Sequence, residues 1–239
     1  MVHRLPSHVK IIAVLGFIVV SVATPITNWQ AFLTYFVAIF TVSLIAKIPT
    51  LTLCKRALIE IPFIFFAILM PFFGTGDRFQ IGPFNLYRES LLAAAGIVVK
   101  GTLGVLSAVI LSTSTTAREL LRGLEKLHLP KLMVQIAAFM LRYVNVINDE
   151  MERMKVARES RGFIATGIKD WKVLATAASA LFIRSYERGE RVHLAMLSRG
   201  YTGVLPHDQS EGGSLRSWSQ GLALPLFASI VLLITTAIG

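Results

Sequence analysis

Long runs of apolar residues dominate the first half of the chain. Four of them have between 14 and 25 residues, and an α-helix needs roughly 20 to cross a bilayer. They cover residues 11–24, 29–46, 57–73 and 89–113. Pro25 ends the first run and Pro62 interrupts the third, because proline lacks the amide hydrogen that a continuing helix uses. With a further apolar run at 221–238, the pattern predicts an all-α integral membrane protein with about five transmembrane helices.

The pattern changes after residue 113. Apolar positions continue at helical spacing, but charged residues now fill the positions between them. Pro130 opens one predicted helix, and another amphipathic stretch runs from about 170 to 198. Three segments follow from this: transmembrane helices in 1–113, a module of amphipathic helices in 114–206, and a linker with a last transmembrane helix in 207–239.

Composition agrees with a membrane protein. Of the 239 residues, 54% are hydrophobic and only 16% are charged, against about 25% in a typical soluble domain. The formal net charge is +10, which in a soluble protein would suggest a nucleic-acid partner. Here the rule that basic loops stay in the cytoplasm explains it, so no nucleic acid is expected.

The distribution of basic residues also predicts the orientation. Residues 1–10 and most of the 24 lysines and arginines, which lie within 114–201, are expected in the cytoplasm. The N-terminus and residues 114–216 are therefore predicted to be cytoplasmic, with 74–87 and the C-terminus outside. This describes a multi-pass protein of the cell membrane.

The fourth apolar helix is rich in small residues, which let helices approach closely in lipid. These are Ala93, Ala94, Ala95, Gly96, Gly101, Gly104, Ser107 and Ala108. Gly101 and Gly104 are predicted to form a packing face. Lys100 lies near the middle of this helix, where an ionisable group is paired, snorkels or faces protein. Glu60 is a candidate partner, although its depth along its own helix does not match.

One phrase occurs twice, at 152–163 and 190–201. When the copies are aligned, Glu, Arg, Ala, Ser, Arg and Gly recur in the same places, and both copies end in an aromatic residue. Gly is preferred just past a helix C-terminus, and Arg near it suits the helix dipole. Each copy alone is an ordinary helix end. The duplication instead suggests two equivalent contact sites, each tipped by an arginine and an aromatic ring.

Catalytic motifs are missing from the sequence. Gly162 and Gly167 have the spacing of a phosphate-binding loop, but Ile168 stands where that loop needs lysine. Cys54 is the only cysteine, and the five histidines are scattered. We therefore predict a non-catalytic protein without catalytic, metal-binding or cofactor-binding residues.

The doubled Ala-x-x-Ser-Arg-Gly-aromatic phrase, with apolar spans before it and one after it, resembles the transmembrane T component of energy-coupling factor (ECF) transporters. Residues 141–163, from Leu141-Arg142-Tyr143 onwards, are most similar to the cobalt-transport branch, the CbiQ type. The layout is similar over nearly the whole chain, and the specific motifs lie within 118–201. That family carries two Ala-Arg-Gly-like motifs at the ends of cytoplasmic coupling helices. Here Ser replaces the usual Ala in both.

The resemblance implies partners and roles. Both motifs would dock into two ABC ATPase subunits, which bind the ATP, so this chain needs no cofactor. A separate substrate-binding membrane subunit, the S component, would hold the substrate, and the lipid bilayer surrounds the complex. The residues that the resemblance assigns to ATPase coupling are Ala157, Ser160, Arg161, Gly162, Phe163, Ala195, Ser198, Arg199, Gly200 and Tyr201.

Several functions remain open from the sequence. The resemblance favours the energy-coupling subunit of a cobalt importer, with nickel, biotin or another vitamin as alternative substrates. An intramembrane enzyme would need paired polar residues within the spans, where only Lys100 and Glu60 stand out. A membrane scaffold would bind anionic lipid through the basic module.

Overall fold

The computed structural model describes residues 5–73, 78–81, 84–163, 167, 170–203 and 214–238. Within these residues the chain is helical apart from one short β-hairpin. The helices are α1 (Ser7–Ala23), α2 (Trp29–Ile45), α3 (Thr50–Ala57), α4 (Ile61–Leu69), α5 (Arg88–Ser114), α6 (Ala117–Lys126), α7 (Lys131–Glu159), α8 (Trp171–Leu197) and α9 (Leu215–Ile238). The all-α class predicted from the apolar pattern is confirmed.

The third predicted span is broken where the sequence contains proline. A 3₁₀ turn, Leu58–Glu60, separates α3 from α4, and Pro62 lies in the first turn of α4, where its missing amide hydrogen has no helical partner to lose. A second 3₁₀ turn, Met70–Phe72, follows α4. The hairpin comes next: β1 (Arg78–Ile81) pairs antiparallel with β2 (Phe84–Tyr87) in the segment predicted as an external loop.

The apolar helices differ in length, and only some of them reach the usual length of a membrane span. Among the described residues, α5 and α9 are long and apolar enough to cross by length and composition. Helices α1 and α2 are also apolar but have 17 residues each, at the lower limit for a spanning helix. Their outward side chains, such as Val19 and Val37, are exposed apolar groups that a bilayer covers.

The chain forms two compact units. The first comprises Met1–Leu127 and Glu211–Gly239, and the second His128–Ser210. Helix α1 is central to the first unit and packs against α5, α6 and α9. The buried Tyr35 ties the core together, since its hydroxyl donates to the Ala228 carbonyl at 3.1 Å and its ring meets Phe17 edge to face at 5.7 Å.

Helix α6 packs in the first unit, although its charge pattern grouped it with the amphipathic module. It begins with a reciprocal cap: the Glu119 N–H donates to Thr116 Oγ1 at 3.3 Å, and the Thr116 N–H donates to the Glu119 carboxylate at 2.9 Å. The backbone bond from Thr116 holds the pKa of the Glu119 carboxyl below its ordinary value. The residue of α6 that faces α1 has to be glycine. A Cβ on Gly123 would lie only 2.9 Å from the His8 amide nitrogen.

Lys100 and Glu60 have separate partners within the first unit. Lys100 Nζ donates to the Val22 carbonyl at 2.6 Å, in the last turn of α1, where a cation suits the helix dipole. Glu60 is buried and accepts from Thr102 Oγ1 at 2.9 Å. Its other oxygen has no hydrogen-bond partner in the part of the chain that the structure describes. The two residues therefore do not form the ion pair considered from the sequence.

Candidate functional site

The second unit is built from α7 and α8, which bury few of their own side chains. Val134 and Gln135 are the buried residues of α7, and none of the described residues of α8 is buried. Large apolar groups remain exposed on both helices: Met140 is 67% exposed and Phe182 is 72% exposed. Exposed apolar faces of this kind are typical of sites that contact protein or membrane, because water covers them poorly.

The first copy of the doubled phrase terminates α7 at Glu159. The Gly162 N–H donates to the Glu159 carbonyl at 2.9 Å, and the Phe163 N–H donates to the Arg158 carbonyl at 3.1 Å. These two bonds form a Schellman motif, which satisfies carbonyls that the last helical turn would leave unpaired. The predicted helix end is confirmed.

The second copy terminates α8 with the same bonds. The Gly200 N–H donates to the Leu197 carbonyl at 3.0 Å, and the Tyr201 N–H donates to the Met196 carbonyl at 3.0 Å. Because the donors and acceptors occupy equivalent positions in the two phrases, the repeated sequence produces a repeated structure.

Both terminal glycines are needed for their backbone conformation. Gly162 has φ +77° and Gly200 has φ +83°, in the left-handed region that disfavours side chains. A Cβ at either position would have no described atom within 4 Å. The requirement is therefore conformational and not steric crowding by neighbours.

Replacing glycine by alanine should therefore destabilise the two helix ends but stabilise the interior of a helix. Gly162→Ala and Gly200→Ala should each weaken their helix end by about 1–2 kcal/mol. Gly189→Ala, inside α8 and also in open space, should instead stabilise the helix by about 0.5–1 kcal/mol. Amide hydrogen exchange in the last turns of α7 and α8 measures both effects. Equal exchange in all three variants would contradict the proposed role of the left-handed conformation.

The two motif arginines project from these rigid ends. Arg161 and Arg199 are both exposed, and neither has a hydrogen bond or ion pair from its side chain to another described residue. A guanidinium carries five donors in a planar fork that matches carboxylates. Each helix end thus presents an arginine whose side-chain donors are available to another molecule.

The motif serines act locally. Ser160 Oγ donates to the Val156 carbonyl at 2.9 Å, and Ser198 Oγ donates to the Ala195 carbonyl at 3.0 Å. Both hydroxyls therefore help to close the last helical turn. The nearby Ala157 and Ala195 are exposed and add little bulk beside the arginines.

The two aromatic residues differ in their surroundings. Tyr201 is half-buried, and its hydroxyl donates to Gln135 Oε1 at 3.2 Å. Gln135 in turn donates from Nε2 to the Gly203 carbonyl at 3.1 Å. Tyr201 therefore fastens the end of α8 to the start of α7, a contact that no sequence pattern indicated. Phe163, in the first copy, is half-buried without a hydroxyl to donate.

An ion pair connects the middle of the two helices. Arg184 on α8 bonds to Glu150 on α7 beside a mainly apolar groove of about 340 Å³. Phe139 and Tyr143 stack at 6.4 Å on α7 and line the same groove. The Arg184–Glu150 pair thus holds the middle of α7 against α8, in addition to the contact of Tyr201 with Gln135 near the start of α7.

Three curated proteins show what the chain is similar to. An uncharacterized protein from Methanocaldococcus jannaschii is 32% identical over 139 residues, which are 56% of this chain and 51% of that protein. A putative fused cobalt transport protein, CbiMQ, from Methanocorpusculum labreanum is 29% identical over 225 residues, 88% of this chain and 36% of the fused protein. The energy-coupling factor transporter transmembrane protein EcfT from Bacillus subtilis is 27% identical over 219 residues, 85% of this chain and 81% of that protein. The chain thus spans about half of the first protein and about a third of the second.

The match to a protein family covers more of the chain than the alignment with the first of these relatives does. The family described as cobalt transport protein, CbiQ, matches residues 1–211. This range contains α1, α2 and α5 together with both Ser-Arg-Gly helix ends. The chain belongs to the CbiQ family of cobalt transport proteins.

Proposed function

We propose that the chain is the transmembrane energy-coupling subunit of an ECF-type ABC importer. In this role it transmits the ATP-driven motion of two ATPase subunits to a substrate-binding membrane subunit. The observation that carries the proposal is the pair of equivalent helix ends, each with an exposed arginine beside a Schellman glycine. Membership of a family of transporter membrane components supports it, and such a component is not an enzyme.

The two long helices α7 and α8 are suited to transmit motion. Two ATPase subunits present two similar grooves, so one membrane subunit needs two similar contacts. Helices α7 and α8 have 29 and 27 residues, which at about 1.5 Å per residue makes each roughly 40 Å long. A continuous helix transmits displacement along its length, and the exposed apolar faces of α7 and α8 are surfaces on which a partner would bear.

Cobalt ion is the proposed substrate. The family description supports it, as does the name of the fused relative. The separate substrate-binding subunit would hold the ion and would set the specificity. Nickel, biotin or another vitamin are the alternative substrates. Uptake of radioactive cobalt and nickel by the assembled transporter separates the two metals.

Purification of the intact complex tests the function. The tagged chain should bring down two ATPase subunits and a second, small membrane protein. An intramembrane enzyme would act without them, and a lipid scaffold would bind anionic vesicles by itself. The structure gives the enzyme no support from Lys100 and Glu60, which have separate partners. Recovery of the chain without ATPase subunits from native membranes would contradict the proposal.

The proposed orientation has a direct test. The N-terminus and residues 114–216 would be cytoplasmic, and 74–87 and the C-terminus outside. Gly76 and Ser210, which lie outside the described residues, are suitable labelling positions in a Cys54→Ser background. A membrane-impermeant thiol reagent should label Gly76→Cys in sealed cells and Ser210→Cys only after lysis. Labelling of Ser210→Cys from outside would overturn the orientation.

A further inference from the structure

Arg199 does not stand alone at the end of α8. It lines a cleft of about 360 Å³ between α7 and α8, and Arg142 of α7 lines the same cleft. The other lining residues are apolar or aromatic, among them Phe139, Tyr143, Ala195 and Met196. Two arginines therefore line one recess, and none of the other lining residues carries a negative charge.

We propose that Arg142 and Arg199 together bind one carboxylate side chain of the ATPase subunit that docks on α8. This site, called here the arginine cleft, rests on the proposed function and adds Arg142 to it as a specificity-determining residue. A carboxylate has two oxygens and can accept from both guanidiniums at once. Its negative charge would also relieve the repulsion between the two cations.

Charge around the cleft points to an anionic partner. The residues three and four positions from Arg199 along the chain are uncharged: Ala195, Met196, Thr202 and Gly203. The same holds around Arg142, with Ala138, Phe139, Asn145 and Val146. Neither arginine forms an ion pair within the described residues. Glu150, which lines the other groove together with Phe139 and Tyr143, is bonded to Arg184.

The Arg142 guanidinium and the Arg199 backbone are held before a partner arrives. The Cζ atom of Arg142 lies 5.8 Å from the ring centroid of Tyr143, and that ring stacks on Phe139. Cation–π contact of this kind fixes an arginine without using its hydrogen-bond donors. The backbone of Arg199 is fixed by the Schellman bonds of Gly200 and Tyr201. Ala195 leaves space at the cleft wall that a larger residue would fill.

Comparison of the two copies explains why Arg142 is needed at one end only. In the first copy, Arg158 lies in the last turn of α7, three residues before Arg161. The equivalent residue in the second copy is Met196, and α8 has no basic residue in its last turn. The first helix end thus supplies two arginines itself, whereas the second obtains its partner arginine from the neighbouring helix.

A double-mutant cycle tests the arginine cleft. It is measured in an Arg161→Ala background, so that binding of the ATPase subunits depends on the α8 end. Arg142→Ala and Arg199→Ala should each lower the affinity for the ATPase subunits, measured by titrating purified ATPase subunits onto the membranes, by about 10- to 150-fold. The double variant should lose less than the product of the two single losses, because both residues bind the same group. Lys172→Ala, which removes an exposed positive charge from α8 outside the cleft, should bind normally.

The outcomes separate this inference from the proposed function. Normal binding by Arg142→Ala together with loss in Arg199→Ala would overturn the arginine cleft and leave the coupling role intact. Normal binding by both variants would overturn both. Fully multiplicative losses would show that the two arginines bind different groups, which also contradicts the inference.

A second measurement needs no variant and so does not depend on folding of mutants. Phenylglyoxal modifies accessible guanidiniums, and mass spectrometry locates the modified residues. In the free chain, Arg142 and Arg199 should both react, as exposed arginines do. In the complete transporter both should be protected, while Arg153 on the exposed surface of α7 keeps its reactivity. Protection of Arg199 with full reactivity of Arg142 would overturn the inference.

Discussion

Replacing both Arg161 and Arg199 by alanine is expected to release the ATPase subunits while the protein still inserts into the membrane. Each arginine is exposed at a separate helix end and has no side-chain partner among the described residues. A hydrogen bond to a charged group contributes roughly 1.5–3 kcal/mol, so each loss weakens its docking site by about 10- to 150-fold. Losing both removes the two contacts that reinforce each other through high effective concentration.

The single variants should behave differently from the double. Arg161→Ala or Arg199→Ala leaves one helix end attached, so a complex should still be recovered. Transport should nevertheless fall sharply, because one ATPase subunit would close without moving the coupling helices. Lysine at either position should restore little, because it lacks the planar fork. Co-purification and substrate uptake, measured on the same membranes, report the two effects separately.

The matched control removes a side-chain hydroxyl and leaves the guanidinium in place. Ser160→Ala and Ser198→Ala lose only bonds to carbonyls of their own helices. These variants should retain the ATPase subunits. A double arginine variant with full uptake and a normal complex would make these helix ends ordinary caps, and the proposed function would lose its main support.

Gly101→Leu is expected to disrupt the first unit, whereas Gly104→Leu is expected to be tolerated. A Cβ at Gly101 would lie 2.5 Å from Glu60 Oε1, a buried oxygen on the break between α3 and α4. A Cβ at Gly104 would have no described atom within 4 Å. Overfilling a packed contact costs about 1–3 kcal/mol, and at Gly101 it also displaces a carboxylate that Thr102 holds.

The two glycines lie about one turn apart on α5, so each serves as the control for the other. Yield of monodisperse protein and its thermal unfolding measure the difference. Combining Gly101→Leu with Glu60→Ala should recover part of the loss, because the overlapping carboxylate is gone. Small size in the sequence predicts that both glycines form a packing face, and the structure supports this at Gly101 alone. Equal loss in both single variants would contradict the contact with Glu60.

Local features of the fold could be predicted from the sequence. Apolar runs predicted α1, α2, α5 and α9 because helices in lipid require long apolar segments. Pro62 predicted the break before α4, since the lost backbone hydrogen bond is a local effect. The glycines at 162 and 200 predicted both helix ends, because the left-handed conformation is a property of the residue itself.

Contacts between helices were decided by the tertiary structure. Periodicity shows that α6 has an apolar face but not that α1 covers it. The sequence likewise does not distinguish Gly101 from Gly104. A side chain would meet Glu60 at Gly101 but no described atom within 4 Å at Gly104.

The candidate site divides in the same way. The repeat identified Arg161 and Arg199, because near-identical phrases produce near-identical helix ends. Nothing in the chain marked Gln135 as the partner of Tyr201, or Arg142 as a neighbour of Arg199 in one cleft. Those pairs are far apart in sequence, and their meeting depends on how α7 and α8 are rotated and aligned against each other. Side-chain packing sets that rotation and alignment, and the hydrophobic pattern of either helix alone leaves both undetermined.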